Sequence, residues 1–433
     1  MRGGDTIAAL SSGSLPSGVA VIRLSGPKAG LLLERFAGRL PAPRVMTLAA
    51  LRDGADVIDH GLVAWFPGPR SFTGEDCGEL QVHGSRAVTR ALLRALTAEP
   101  GVRLAEAGEF TRRAFENGRL DLTAVEGLGD LIEAETDNQR RQAMARSEGA
   151  LARQIGAWRA TLIDARAEME ARLDFSDESD VDVAIPARVW TSIMELRGQL
   201  EAALQDMGRG QVVREGFRVA LAGPPNAGKS SLLNALSKSD VAIVSEEPGT
   251  TRDVRELAMD LGGQLVVLVD MAGLRETESS AEAEGVRRAR REIGRADLVL
   301  WLSAPDVRDP GPHTAIKAPV WRIATKADLG AAPGGAAVVS ARTGAGIPEL
   351  LARLEATARE RVLGEPALIS HERDRVALAE AVAALKEISS DGGAPELAAD
   401  GLRRASHALA RLTGEIDAEQ ILDRLFSAFC IGK

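Results

Sequence analysis

The chain has 433 residues, of which 45% are hydrophobic and 27% charged, with a formal net charge of −9. That length suggests about three domains, and no stretch nears the ~18 consecutive apolar residues of a membrane span. The acidic balance offers nucleic acid no overall basic surface, and two cysteines, Cys77 and Cys430, are too few and too far apart for a disulfide scaffold or a local metal motif. The first residues lack the apolar segment of a secretory signal, so a reducing cytoplasm is the expected compartment.

In chain order, residues 1–118 are expected to form an α/β domain. The apolar run 19–24 is predicted as a strand ending at Ser25-Gly26-Pro27, and 62–66 as another, stopped by Pro67-Gly68-Pro69. Residues 79–83 alternate apolar and polar like a half-buried strand, and 86–96 have helical spacing. The polar stretch Ser71-Phe72-Thr73-Gly74-Glu75-Asp76 is unlike core. From about 119 the pattern is helical. Leu151, Ile155, Trp158, Leu162, Ala165, Met169 and Leu173 mark one helix face and are read as bundle core. An acidic break at 174–180 reads as a solvated loop, followed by a helix over 186–208.

Residues 217–222 are an apolar strand, followed by Gly223-Pro224-Pro225-Asn226-Ala227-Gly228-Lys229-Ser230 and a helical run from Ser231. Strand, glycine turn and helix at the spacing G-x-x-x-x-G-K-S form a phosphate-binding loop, because glycines let backbone N–H groups curl round a polyphosphate at a helix N-terminus. Lys229 is expected to reach the β- and γ-phosphates and Ser230 to bind Mg2+. Asp270-Met271-Ala272-Gly273 ends the strand 265–269, putting a carboxylate near the Mg2+ shell and the Gly273 N–H near the γ-phosphate. Two further strands, 298–302 and 320–324, follow. The second runs into Thr325-Lys326-Ala327-Asp328, which resembles the N/T-K-x-D guanine signature; Ser340-Ala341-Arg342 resembles the backbone element behind guanine O6. The order favours GTP. Thr325 stands where asparagine is commoner, which removes a possible hydrogen bond to the base or the loop.

A helix over 347–356 should close this domain, and helical periodicity resumes from 366. The expected architecture is therefore a nucleotide domain, 214–362, inserted into a helical domain built from 119–213 and 363–433. Asp417 and Gln420 have capping-box spacing, and Gly432 is expected to stop the last helix and free a short mobile arm.

Gly273 is followed by Leu274, which cannot orient water, so Glu282 and Glu284 are candidates for that task. Asn226 and the segment Ser245-Glu246-Glu247-Pro248-Gly249-Thr250-Thr251 offer oxygens for a monovalent cation in place of an arginine finger, and Thr251 would complete the Mg2+ shell.

Ser71–Asp76, Gly108-Glu109-Phe110-Thr111, Leu120-Asp121-Leu122, Gly249-Thr250-Thr251-Arg252-Asp253 and Phe429-Cys430-Ile431-Gly432-Lys433 together resemble the MnmE (TrmE) family of tRNA-modification GTPases over the whole chain. The resemblance implies an N-terminal α/β tetrahydrofolate-binding-like domain that forms a homodimer, a helical domain, and an inserted Ras-like P-loop G domain. It implies a 5-formyl- or methylene-tetrahydrofolate held by Arg23, Glu79, Arg119 (in place of lysine) and Lys433. It implies G-domain dimerisation around K+ bound by Asn226, Ser245 (in place of threonine), the Glu247 carbonyl and Thr250, with Glu282 orienting water. The implied partner is the FAD-dependent protein MnmG, acting with it to place an aminomethyl or carboxymethylaminomethyl group at C5 of the wobble uridine. Cys430 is open to two readings, a thiol in that chemistry or a small packed hydrophobe, and Cys77 reads as structural. An Era-like, GTP-switched ribosome-assembly factor is the alternative, and it would call for a basic RNA-binding appendage.

Overall fold

The computed structural model describes residues 4–174, 186–243, 256–270, 294–312, 316–330, 337–388, 395–416, 425–427, 429 and 432. The chain divides into two compact units, one of Met1–Gly129, Ser147–Asp164 and Arg403–Lys433, the other of Asp130–Arg146 and Ala165–Leu402. Among the described residues no helix is long and apolar enough to cross a membrane.

The first unit is built on β1 (Thr6–Leu10), β2 (Ser17–Ser25), α1 (Ala29–Ala37), β3 (Thr47–Asp53), β4 (Asp56–Phe66), β5 (Cys77–Gly84), α2 (Arg86–Thr97), β6 (Val102–Leu104) and α3 (Glu109–Glu116). The three predicted strands are β2, β4 and β5, and the predicted helix is α2. The sheet order is β3-β4-β5-β2-β1-β6, antiparallel apart from the β1–β6 pair. Leu32, Leu33 and Phe36 of α1 and Leu92 and Leu96 of α2 pack with Ile22, Leu24 and Leu80 on one face. β1 shows no alternation in sequence because both its faces are buried: Ala8 faces that core, while Ile7 and Ala9 meet Phe110 of α3.

In the same unit, Phe426 is fully buried, and a Cβ at Gly108 would meet its backbone. Gly432 is buried at φ 99° and its carbonyl accepts from Ser11 Oγ at 2.6 Å. The free arm expected at Gly432 is thus a seated segment at that residue. Only glycine lets the backbone lie directly against Leu10 and Ser11, since a Cβ there would strike the Leu10 carbonyl.

Long helices follow: α4 (Leu122–Glu133), α5 (Asp137–Ser147), α6 (Ala150–Asp174) and α7 (Ala187–Glu215). Leu151, Ile155, Trp158, Leu162, Ala165 and Met169 of α6 are all buried, as the stripe requires. The acidic break lies almost wholly outside the described residues, as does the Asp417–Gln420 capping box. α7 outlasts its expected end at 208. Its glycines read as stops in sequence, but Gly210 lets the helix pass close to the Ile369 carbonyl.

The second unit contains β7 (Phe217–Ala222), α8 (Lys229–Leu236), β8 (Glu256–Leu261), β9 (Gln264–Asp270), β10 (Leu298–Ser303), β11 (Val320–Ala324), β12 (Ala337–Val338) and α9 (Ile347–Val362). Its sheet runs β12-β11-β10-β7-β9-β8, parallel except at β8. α10 (Glu372–Lys386) and α11 (Pro395–Thr413) complete the described helices.

α5 is buried through its polar side. Gln142 Nε2 donates to the carbonyls of Gly210 (3.1 Å) and Ala367 (2.7 Å), and Gln139 Nε2 to that of Arg214 (3.0 Å). Gln264 Nε2 donates to Val212 at 3.1 Å, so three carbonyls near the C-terminus of α7 each accept a bond from a side-chain amide. Arg146 and Asp374, both with fully buried side chains, pair at 2.8 Å. Burial pushes the Asp374 carboxyl up, but the Arg146 and Arg373 charges outweigh it and hold it below its ordinary range. Removing one partner leaves a buried charge alone, so Asp374→Ala should destabilise this unit by about 3–5 kcal/mol. Paired replacement by Arg146→Met and Asp374→Leu should recover most of that, read from urea unfolding midpoints.

Candidate functional site

The site lies at the C-terminal edge of the second sheet, where parallel strands deliver their following loops to one place. Because β7 sits between β9 and β10, the loop after it comes between Asp270 at the end of β9 and Ser303 at the end of β10. Gly223 (φ 140°), Asn226 (φ 62°) and Gly228 (φ 85°) turn the chain into α8, and a Cβ at Gly223 would strike the Leu302 carbonyl. That close passage explains the loop's first glycine.

Lys229 is buried and donates from Nζ to the carbonyls of Gly223 (3.0 Å) and Pro224 (2.8 Å), which curls the ammonium over its own loop. Ser230 Oγ donates to Asp270 Oδ2 at 2.9 Å. Two hard oxygen donors, one from the first turn of α8 and one from the end of β9, thus meet where Mg2+ would bind, and the donor set fits that ion. Asn226 is exposed, with no hydrogen-bond partner among the described residues.

A cavity of about 300 Å³ opens beside α8, lined among others by Gly228, Ser231, Thr325, Asp328, Ala341 and Arg342. Thr325 follows β11 and is buried. Its Oγ1 lies 2.6 Å from the Ala227 carbonyl and 3.0 Å from that of Ser303. A hydroxyl carries one proton, and the shorter contact directs it to the phosphate loop. The shorter side chain was expected to forgo a hydrogen bond to the base or to the loop, and the one to the loop is made. Lys326 stands at φ 55° and pairs with Asp306 at 2.7 Å. Asp306 was not among the expected site residues, since a lone carboxylate after a strand carries no spacing signal.

Asp328 Oδ1 accepts from Ser340 Oγ at 2.6 Å and Oδ2 from Arg342 Nε at 2.7 Å. The Ser340 bond first, then the Arg342 bond and charge, hold its carboxyl below the ordinary range. At neutral pH it is purely an acceptor, as two adjacent N–H donors of guanine require. Ala327 N donates to the Val339 carbonyl at 3.2 Å, which fixes the distance between this turn and the segment of Ser340 and Ala341. Ser245, Glu246, Glu247, Pro248, Gly249, Thr250, Thr251, Met271, Ala272, Gly273 and Glu282 lie outside the described residues.

A second cluster lies in the first unit. Arg23 donates to Glu79 Oε1 from Nε (3.2 Å) and Nη2 (3.1 Å), and its guanidinium lies 5.5 Å from the Phe72 ring centroid and 5.9 Å from that of Phe110. Arg119 is exposed, its side-chain stem against Gly74 of the same 71–76 loop. That loop is fastened by Thr73, whose Oγ1 is 2.7 Å from Ser25 Oγ, and by Glu75, which accepts from Ser25 Oγ (2.7 Å) and Arg113 (3.0 Å). Cys77 is buried, 3.1 Å from Thr73 Oγ1, in keeping with a structural thiol. Cys430 and Lys433 lie outside the described residues.

A family profile described as the GTP-binding protein TrmE N-terminus matches residues 6–119, and one described as the MnmE helical domain matches residues 122–430. The tRNA modification GTPase MnmE of Methylobacterium radiotolerans is 51% identical over 440 residues, covering 99% of both chains. That of Azorhizobium caulinodans is 52% identical over 444 residues, covering all of both chains. The chain belongs to the MnmE (TrmE) family of tRNA modification GTPases. Family membership makes it a P-loop GTPase of tRNA modification with a TrmE-type N-terminal domain, a helical domain and a G domain, as the motifs led us to expect. Among solved structures, the G domain of the T. maritima FeoB iron transporter is 26% identical, covering 33% of this chain and 98% of that one, at a TM-score of 0.24.

Thr325→Val should leave the buried Ala227 carbonyl unpaired, a loss of about 1–3 kcal/mol that lowers GDP affinity roughly five- to a hundredfold. Thr325→Ser keeps the hydroxyl and should bind nearly as the parent does, measured by titration with a fluorescent GDP analogue.

Proposed function

We propose that this GTPase is activated by K+ through dimerisation of its G domains, and that it works with an FAD-dependent partner of the MnmG type to modify C5 of the wobble uridine in certain tRNAs. In this reading Asn226, Ala227, Gly228, Lys229, Ser230 and Ser231 bind the GTP phosphates, and Ser230 and Thr251 coordinate Mg2+, with Asp270 acting through water. Thr325, Lys326, Asp328 and the Ser340–Arg342 segment receive the guanine. The observation that carries the reading is Asn226, exposed and with no hydrogen-bond partner among the described residues, on the loop that leads to Ser230 and its bond with Asp270.

An asparagine oxygen there, with Ser245, the Glu247 carbonyl and Thr250, would hold K+ against the phosphates and neutralise developing charge as an arginine does. Leu274 cannot orient water, and Glu282 takes that role. The domains of this reading are 1–118, 119–213 with 363–433, and 214–362, and the N-terminal domain supports a homodimer.

Arg23, Glu79 and Arg119, with Lys433, would hold a tetrahydrofolate derivative. Glu79 suits the donor face of a pterin, and the two arginines suit an anionic tail. The bound folate would supply the one-carbon unit. Cys430 is assigned to the modification chemistry rather than to packing. The work is cytoplasmic, where tRNA and the partner meet.

GTP turnover should be many-fold faster in KCl than in NaCl, and Asn226→Lys should abolish the difference while leaving nucleotide bound. Equal rates in both salts would defeat the cation reading. Nucleoside analysis of tRNA from cells lacking the chain tests the rest: wobble uridines should lose the C5 group.

A further inference from the structure

An acidic GTPase that acts on tRNA must present some local surface to a polyanion. The charge of this chain is unevenly divided: residues 1–119 contain 15 Lys and Arg against 12 Asp and Glu, a net +3, although the whole chain is at −9. Within that region residues 80–98 contain Arg86, Arg90 and Arg94 and no carboxylate.

The three arginines lie on α2 at steps of four. At about 100° and 1.5 Å per residue, they span an arc of about 80° and a line of about 12 Å. The buried face of α2, Thr89, Leu92, Ala95 and Leu96, lies on the opposite side, against the sheet. Arg86, Arg90 and Arg94 are all exposed. Arg86 donates from Nη2 to the Leu15 carbonyl at 3.1 Å, a bond that leaves its charge unneutralised. Among the described residues no carboxylate pairs with any of the three. Glu99, next along the chain, is already paired with Arg35.

We propose that the outer face of α2 is a docking surface for the tRNA sugar–phosphate backbone, an inference that rests on the chain's role in tRNA modification. No Asp or Glu lies on α2 itself to neutralise these arginines. Guanidinium groups suit phosphate because their planar forks bond two oxygens at once. The same face is poor ground for a protein partner. Its other exposed positions are small, Ser85, Ala87 and Ala98, and supply none of the apolar or aromatic anchors that protein interfaces need at their centre. Backbone phosphate recognition needs only charge at regular spacing. Such contacts position the RNA without reading its sequence, which is what a chain that leaves the base chemistry to another site requires.

The test is tRNA binding by the full-length protein, followed by anisotropy of labelled unmodified tRNA across salt, with the triple variant Arg86→Ala, Arg90→Ala, Arg94→Ala. Each lost phosphate contact removes about 0.9 from the slope of log affinity on log salt, so the triple variant should show a slope shallower by nearly three. Between 50 and 200 mM salt the parent should then lose roughly fortyfold more affinity than the variant. Loss should be alike for different tRNAs, Arg→Lys at all three positions should retain most of the binding, and GTP turnover without tRNA should be unchanged in both variants. Alanine favours helix, so the fold is expected to survive, and unchanged turnover with a parent-like circular dichroism spectrum confirms it. An equal slope and affinity in parent and triple variant overturns the proposal. So does retention of tRNA binding with loss of co-purification with the FAD-dependent partner, which would make α2 a protein surface. Cells lacking the chain with unaltered wobble uridines would instead defeat the tRNA role itself.

Discussion

β7 lies between two parallel neighbours, and that placement governs the rest of the nucleotide domain. A strand hydrogen-bonded on both sides cannot shift along its axis without breaking two ladders. The turn after it is therefore held at fixed height against the ends of β9 and β10. Asp270 can then meet Ser230, and the end of β10 can share Ser303 with Thr325. The Thr325 hydroxyl closes the circuit by joining the base side of the cavity to the phosphate loop through the Ala227 carbonyl. A threonine makes that link as well as a longer amide could, because the loop lies close enough for a one-oxygen side chain.

The same strand is reached through α7, and the end of α7 is controlled by side-chain amides. Gln139, Gln142 and Gln264 donate to carbonyls at 214, 210 and 212, the last of which also accepts from the Gly216 N–H, so the final turn of the helix is tied from the side where it runs into strand. Arg214 adds a bond to Asp130 at 2.9 Å, and His371 bonds the other oxygen of Asp130 at 2.8 Å. Burial raises the Asp130 carboxyl, but His371 and Arg214 outweigh it and keep it below its ordinary range. This polar seam gives directional contacts where an apolar seam would allow sliding. The approach of α7 to β7, and so the height of the phosphate loop, is set by geometry rather than by packing alone.

The N-terminal unit uses a related device around the 71–76 loop. Arg113 bonds Asp5 at 2.8 Å and Glu109 at 3.0 Å as well as Glu75, so a charge set centred on a buried arginine fixes one end of a polar loop that exposes Phe72. Arg23 and Glu79 come from β2 and β5, paired in register as neighbours across the sheet. The tail reaches this unit at Gly432, seated on the β1–β2 connection. Ser11 and Gly432 are 421 residues apart, and nothing in the local pattern of either marks the contact.

The sequence by itself determined the nucleotide chemistry. The spacing of Gly223, Gly228, Lys229 and Ser230 is a local backbone requirement, and the order of Asp270, Thr325–Asp328 and Ser340–Arg342 follows strand ends that apolar runs announce. The stripe of α6 was equally legible, because burial of one helix face imposes its own period. Only the tertiary structure decided what depends on partners far along the chain. β1 carries no alternation because both its faces are covered, and α5 carries no apolar stripe because its partners are backbone carbonyls. The partner of Thr325 and the pairing of Lys326 with Asp306 followed from which groups the sheet order brought within 3 Å. Periodicity records which side of an element meets a core, while a hydrogen bond between distant residues leaves no trace in either one's neighbours.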